Sequence, residues 1–118
     1  MPKAKWHIVQ DADVLTLARH LPARFDVMAE TIVANGAPKR LAHQVRQDMW
    51  RALQNLRGFS PVVQVTRLAE GRLIRAGGAV AGRFNKAKTE AVIADLLADP
   101  ELRARWMRFA ARSKVAHA

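Results

Sequence analysis

Arg40, His43, Gln47 and Gln54 recur along PKRLAHQVRQDMWRALQNLR (Pro38–Arg57) at steps of three, four and seven residues, which places them on one side of a helix. These are the side-chain types that read base edges in a groove, arginine on guanine and glutamine on adenine. Trp50 falls on the same polar side. Three roles are open to it: it closes a second core layer under the C-terminal helices, anchors a protein or dimer interface, or stacks on a base.

Two further groups of cations are candidates for holding a phosphate backbone. Arg67, Arg72 and Arg75 flank a turn, and Arg105, Arg108 and Arg112 recur at about one-turn intervals near the C-terminus. The second set reads equally as the solvated side of a terminal helix.

Chemistry of other kinds lacks an assembled constellation. His7, His20, His43 and His117 are scattered, and no pair has the i, i+4 spacing of a shared metal. His20, His43 and Asp48 could converge in space, but so could any three polar residues. Asp11 and Asp13 fit a helix cap better than acid–base work. The frame Gly77–Gly82 has the length of a phosphate loop, but Arg83 and Phe84 follow it in place of Lys and Ser or Thr, so turns or a close backbone approach are the better reading. Cysteine is absent, which removes disulfides, thiolate nucleophiles and thiolate metal ligands. The expectation is a protein with no catalytic role, no metal and no cofactor.

Charge favours a polyanionic partner. The chain has 20 Lys and Arg against 10 Asp and Glu, net +10. Seven basic residues face five acidic ones up to Trp50, and thirteen face five thereafter, so the two parts carry +2 and +8. The preference for Arg over Lys and the abundance of Ala also fit the coding bias of a GC-rich genome.

The elements that must position these residues read as helices. Leu41, Val45, Met49, Ala52 and Leu56, widened by Leu53, form an apolar stripe along 38–57. Before it, Asp11 or Asp13 would cap a helix carrying Val14, Leu17, Ala18 and Leu21 and ending at Pro22. A second helix would run over 23–35 with Phe25, Met28, Ala29 and Ile32 on one face and stop at Asn35-Gly36. Trp6–Val9 suggests an arm or edge strand within 1–10.

After Gly58 the signals divide. Ser60-Pro61 can start a helix, but VVQVTRL is rich in β-branched residues and Ala69-Glu70-Gly71 suits a hairpin loop. RLIRA would return, Gly77-Gly78 would turn, and AVAGRF would add a third strand. Asn85 should cap a helix through Ala98, with Val92, Ile93, Leu96 and Leu97 inward. Asp99-Pro100-Glu101 should start the last helix, over 101–113, where Leu102, Trp106, Phe109 and Ala110 share a face. Residues 114–118 read as a frayed tail.

The fold expected is therefore mainly α, five helices around a long central helix at 38–57, or α+β with a small antiparallel hairpin or meander within 62–84. The chain has the length of a single domain. No signal peptide or membrane span is visible, so a cytoplasmic location is expected. The first functional reading is a small basic nucleic-acid-binding protein, DNA before RNA, with the helix order of a winged helix-turn-helix. The alternative is a protein-interaction or oligomeric module, a homodimer among others, anchored by Trp50 and Trp106.

Overall fold

A computed structural model describes residues 6–115, with side chains of the last helix described as far as Ala111. His117 and the first five residues lie outside the described residues, as does most of the tail expected to fray. The chain runs β1 (His7–Asp11), β2 (Val14–Ala18), β3 (Val27–Val33), α1 (Pro38–Ala52), β4 (Phe59–Arg67), β5 (Arg72–Val80), α2 (Lys86–Ala98) and α3 (Pro100–Val115). The strands form one five-stranded sheet in the order β1-β2-β4-β5-β3, antiparallel throughout. The expectation of a mainly α protein with five helices is thus overturned. This is an α+β fold, with three helices among the described residues.

The β4–β5 hairpin is the middle of the sheet. Phe59–Arg67 is rich in β-branched residues, and Arg67 pairs with Arg72 across a turn that includes Ala69, Glu70 and Gly71. An isolated two-stranded hairpin is marginal in water and leaves two open edges. β2 takes one edge and β3 the other. Both segments had the look of helices, and both follow period two instead. Leu15 and Leu17 enter the core, while Val14, Thr16 and Ala18 face the opposite side. Val27, Ala29 and Val33 likewise pack into the core, while Met28, Glu30 and Ile32 are exposed. Asp11 and Asp13 consequently cap no helix. They flank a tight turn between β1 and β2, with Ala12 at φ 52°. Pro22 lies in the connection from β2 to β3.

Gly77-Gly78 is not a turn, and there is no third strand after it. β5 runs through both glycines to Val80. A Cβ on Gly77 would lie 1.9 Å from the Val27 carbonyl oxygen, and one on Gly78, at φ 151°, would lie 2.1 Å from that of Ser60. The glycines let the backbones of β3 and β4 close on β5 from both sides.

All three helices cover one face of the sheet. α1 lies over β4 and touches β2 and β5, α2 lies over β3, and α3 packs on α1 and α2. Leu41, Val45 and Met49 are fully buried, as the apolar stripe requires. The helix ends at Ala52, five residues short of the expected Arg57. Leu53 closes its last turn, with its N–H on the Met49 carbonyl. Ala52 is exposed, and Leu56 is half-buried from the following turn. Asn85 caps α2 by accepting the Lys88 N–H at 3.0 Å. Asp99 Oδ1 accepts the N–H groups of Glu101 and Leu102 at the start of α3.

Three helices do not precede the hairpin, so the winged helix-turn-helix order has no counterpart here. Among the described residues no helix is long and apolar enough to cross a membrane.

Candidate nucleic-acid interface

Because α1 buries Leu41, Val45 and Met49 against the sheet, its opposite side must face outward. Arg40, Gln47 and Trp50 are exposed there, and His43 is half-buried. The N-terminal part of this side meets α3. Lys39, Arg40, His43, Gln44 and Phe109 line a cleft of about 330 Å³. The His43 imidazole is held below its usual pKa of 6.5, first by burial, then by the positive charges of Arg46 and Lys39. Its surroundings therefore favour the neutral imidazole in a basic cleft.

One turn further on, the residue before β1 contributes. Trp6 precedes β1 and packs on the core from the sheet edge. The Arg46 guanidinium lies 4.7 Å from the centre of its ring, and that of Arg19, from the end of β2, lies at 5.8 Å. Both distances are in the cation–π range. The Arg46 Nε is buried with no hydrogen-bond partner among the described residues, and burial lowers the pKa of the group. Trp6, Arg19, His20, Trp50, Phe59, Ser60 and Pro61 line a second cleft of about 270 Å³. Trp50 is 51% exposed at its rim. The C-terminal helices do not cover it, so its reading as a second core layer is set aside. Among the described residues no acidic side chain lines either cleft.

Several expected site residues go elsewhere. Gln54 is exposed, but it lies beyond the end of α1 and does not continue the row of Gln47. Arg72 is a staple. Its Nε donates to the Gly36 carbonyl at 3.0 Å, and its Nη1 donates to Asn35 Oδ1 and the Gly71 carbonyl. Arg75 pairs with Glu30 across neighbouring strands on the helix-free face of the sheet. Arg67 is exposed at the end of β4. Arg105 turns inward to pair with Asp48, leaving Arg108 exposed, while the side chain of Arg112 lies outside those described.

Trp106 is no interface residue of this chain, being 0% exposed with its indole N–H on Asp48. His20 and His43 line different clefts, and Asp48 is 5% exposed, engaged by α3. Among the described residues no three His, Cys, Asp or Glu side chains come together to hold a metal ion.

The structure therefore adds Lys39, Arg46, Arg19, Trp6 and Phe109 to Arg40, His43, Gln47 and Trp50. Arg46 was findable: it lies three residues after His43 and four before Trp50, hence on their side of the helix. Trp6 carries no such signal, because the strand pairing that brings it to α1 is non-local. Comparison with protein-family models, with curated proteins and with solved structures finds no match.

Proposed function

We propose that the chain is a small, non-catalytic nucleic-acid-binding protein, duplex DNA being the first candidate, that docks through the outward side of α1. Lys39, Arg40, Arg46 and Arg19 hold phosphates, Gln47 reaches bases, and Trp50 supplies an aromatic platform. The observation that carries this reading is the run of cations and a half-exposed tryptophan along two clefts that no acidic side chain lines among the described residues. Net charge of +10 supports it by steering any polyanion inward. The cytoplasm is the compartment the reading implies. Arg72, Arg75 and Arg105 have no part in it, since each is committed to a partner within the fold.

A protein-docking role for the same surface is the second reading, favoured by the exposure of Trp50. Fluorescence anisotropy with a labelled generic duplex separates the two. Four phosphate contacts predict an affinity loss of about a hundredfold between 50 and 200 mM salt. Arg40→Ala should lower the slope of log affinity against log salt by about one. No binding at 50 mM salt, or binding indifferent to salt, would remove the nucleic-acid reading and leave the protein-docking one.

A further inference from the structure

The sheet has two edges, and they differ. On β3 the Met28 N–H donates to Glu90 Oε2 at 3.0 Å, and the Ile32 carbonyl accepts from Arg103 Nη2 at 2.7 Å. Met28 and Ile32 have the same parity, the one whose backbone groups point away from β5. Both ends of this edge are therefore closed by charged side chains, one from α2 and one from α3. Capping of this kind blocks strand addition.

β1 lacks any such cover among the described residues. All five of its residues are exposed, Ile8 at 40% and Val9 at 42%. Its hydrogen-bonding parity follows from its neighbour. The Asp13 carbonyl accepts the Arg67 N–H, and the Arg19 N–H donates to the Pro61 carbonyl, so the odd residues of β2 face β4. Val14, Thr16 and Ala18 then face β1, opposite Asp11, Val9 and His7. Ile8 and Gln10 are left with their N–H and C=O groups directed outward.

We propose that β1 pairs antiparallel with β1 of a second copy of this chain, in a register centred on Val9. Only residues with outward backbone groups can exchange hydrogen bonds across the new edge. Centring on Val9 meets that condition, because Ile8 of each copy stands opposite Gln10 of the other. Val9 stands opposite Val9 at a non-hydrogen-bonded position, where the Cα atoms approach to about 4.5 Å. His7 of each copy stands opposite Asp11 of the other, so a complementary pair forms at each end.

Moving the register one step either way, to the next arrangement compatible with the parity, loses that match. Val9 then faces His7 in one case and Asp11 in the other. The two-fold axis runs perpendicular to the sheet, so both helical layers lie on the same side of one continuous sheet. This interface involves none of the α1 side chains and stands or falls apart from the nucleic-acid reading.

Sedimentation equilibrium over about 5 to 500 µM protein tests it. So short an edge predicts a dimer in the micromolar range. Gln10→Pro removes an outward donor, keeps the backbone ladder to β2 but gives up the Gln10 Nε2 bonds to the Ala12 and Val14 carbonyls, and should weaken association at least about tenfold. His7→Asp and Asp11→His, each alone, place like groups opposite one another and should weaken it to a similar extent. The combined swap restores complementarity and should return affinity to within about threefold of the parent. Both exchanges are at exposed positions, so they report even if the proline variant fails to fold. A monomer throughout the range overturns the proposal, as does a dimer that survives each single exchange unchanged.

Discussion

Asp48 Oδ2 accepts the indole N–H of Trp106 at 2.6 Å, and the same oxygen pairs with the Arg105 guanidinium. One carboxylate on α1 thus satisfies the one polar atom of a fully buried tryptophan on α3 and neutralises a half-buried cation beside it. Asp48 is itself 5% exposed, so it cannot turn to water for other partners.

Removing it by Asp48→Ala should therefore destabilise the fold by about 3 kcal/mol, at the low end for a broken buried pair because Arg105 retains some solvent. Asp48→Asn keeps an acceptor for the indole and should cost roughly half as much. Urea unfolding followed by tryptophan fluorescence measures both.

Gly77→Ala and Gly78→Ala should each cost more than Asp48→Ala, or prevent folding. In both cases the obstacle is a backbone carbonyl of a neighbouring strand, which cannot rotate aside as a side chain would. Gly82→Ala is the control: its φ is also positive, at 88°, but nothing lies within 4 Å of the added Cβ. Its loss should be limited to the backbone term, about 1 kcal/mol. Circular dichroism melts of the three variants rank these costs.

His43 makes stability depend on pH. Its folded pKa is lowered, so below about 6.5 the unfolded chain takes up a proton that the folded chain resists. Its contribution is fully present above pH 6.5 and is lost as pH falls through the depressed folded value. His43→Gln should flatten the stability profile between about pH 7 and 5. In the nucleic-acid reading a bound phosphate stabilises the imidazolium, so affinity should rise over the same descent in pH and the variant should lose that rise.

Arg40→Ala and Arg72→Ala should separate in their effects. Arg72 joins the β4–β5 turn to the loop before α1 through two hydrogen bonds, to Gly36 and Asn35, and holds the Gly71 carbonyl with a third, so its loss should cost about 1 to 3 kcal/mol of stability. It should leave the salt dependence of binding unchanged. Arg40 is exposed on α1 and should do the reverse. Paired denaturation and anisotropy measurements check the separation.

The parts of the fold legible in the sequence are those with local punctuation. Asn85 and Asp99-Pro100 mark the starts of α2 and α3, and Leu41, Val45 and Met49 mark the buried side of α1. β2 and β3 were misread because five to seven residues cannot distinguish a period of 3.6 from one of two. Met28, Ala29 and Glu30 are moreover good helix formers. What overrides them is the tertiary demand of the β4–β5 hairpin for a partner on each side.

The candidate site divides in the same way. His43, Gln47 and Trp50 are set by the phase of one helix and could be read from it, whereas Trp6 reaches Arg46 only through two strand pairings. Arg105 was read as a solvated charge because nothing local betrays that Asp48, 57 residues earlier, waits beneath it.

The closing of the β3 edge by Glu90 and Arg103 has a further consequence. A sheet that could add strands at both edges would, on meeting its own kind, lengthen without limit. With both ends of the β3 edge closed, the pairing proposed for β1 would leave each chain no second border on which to add a copy. Under that proposal association through this sheet ends at two chains, and opening the β3 border by Glu90→Ala with Arg103→Ala is the change that would turn a closed pair into a growing fibre.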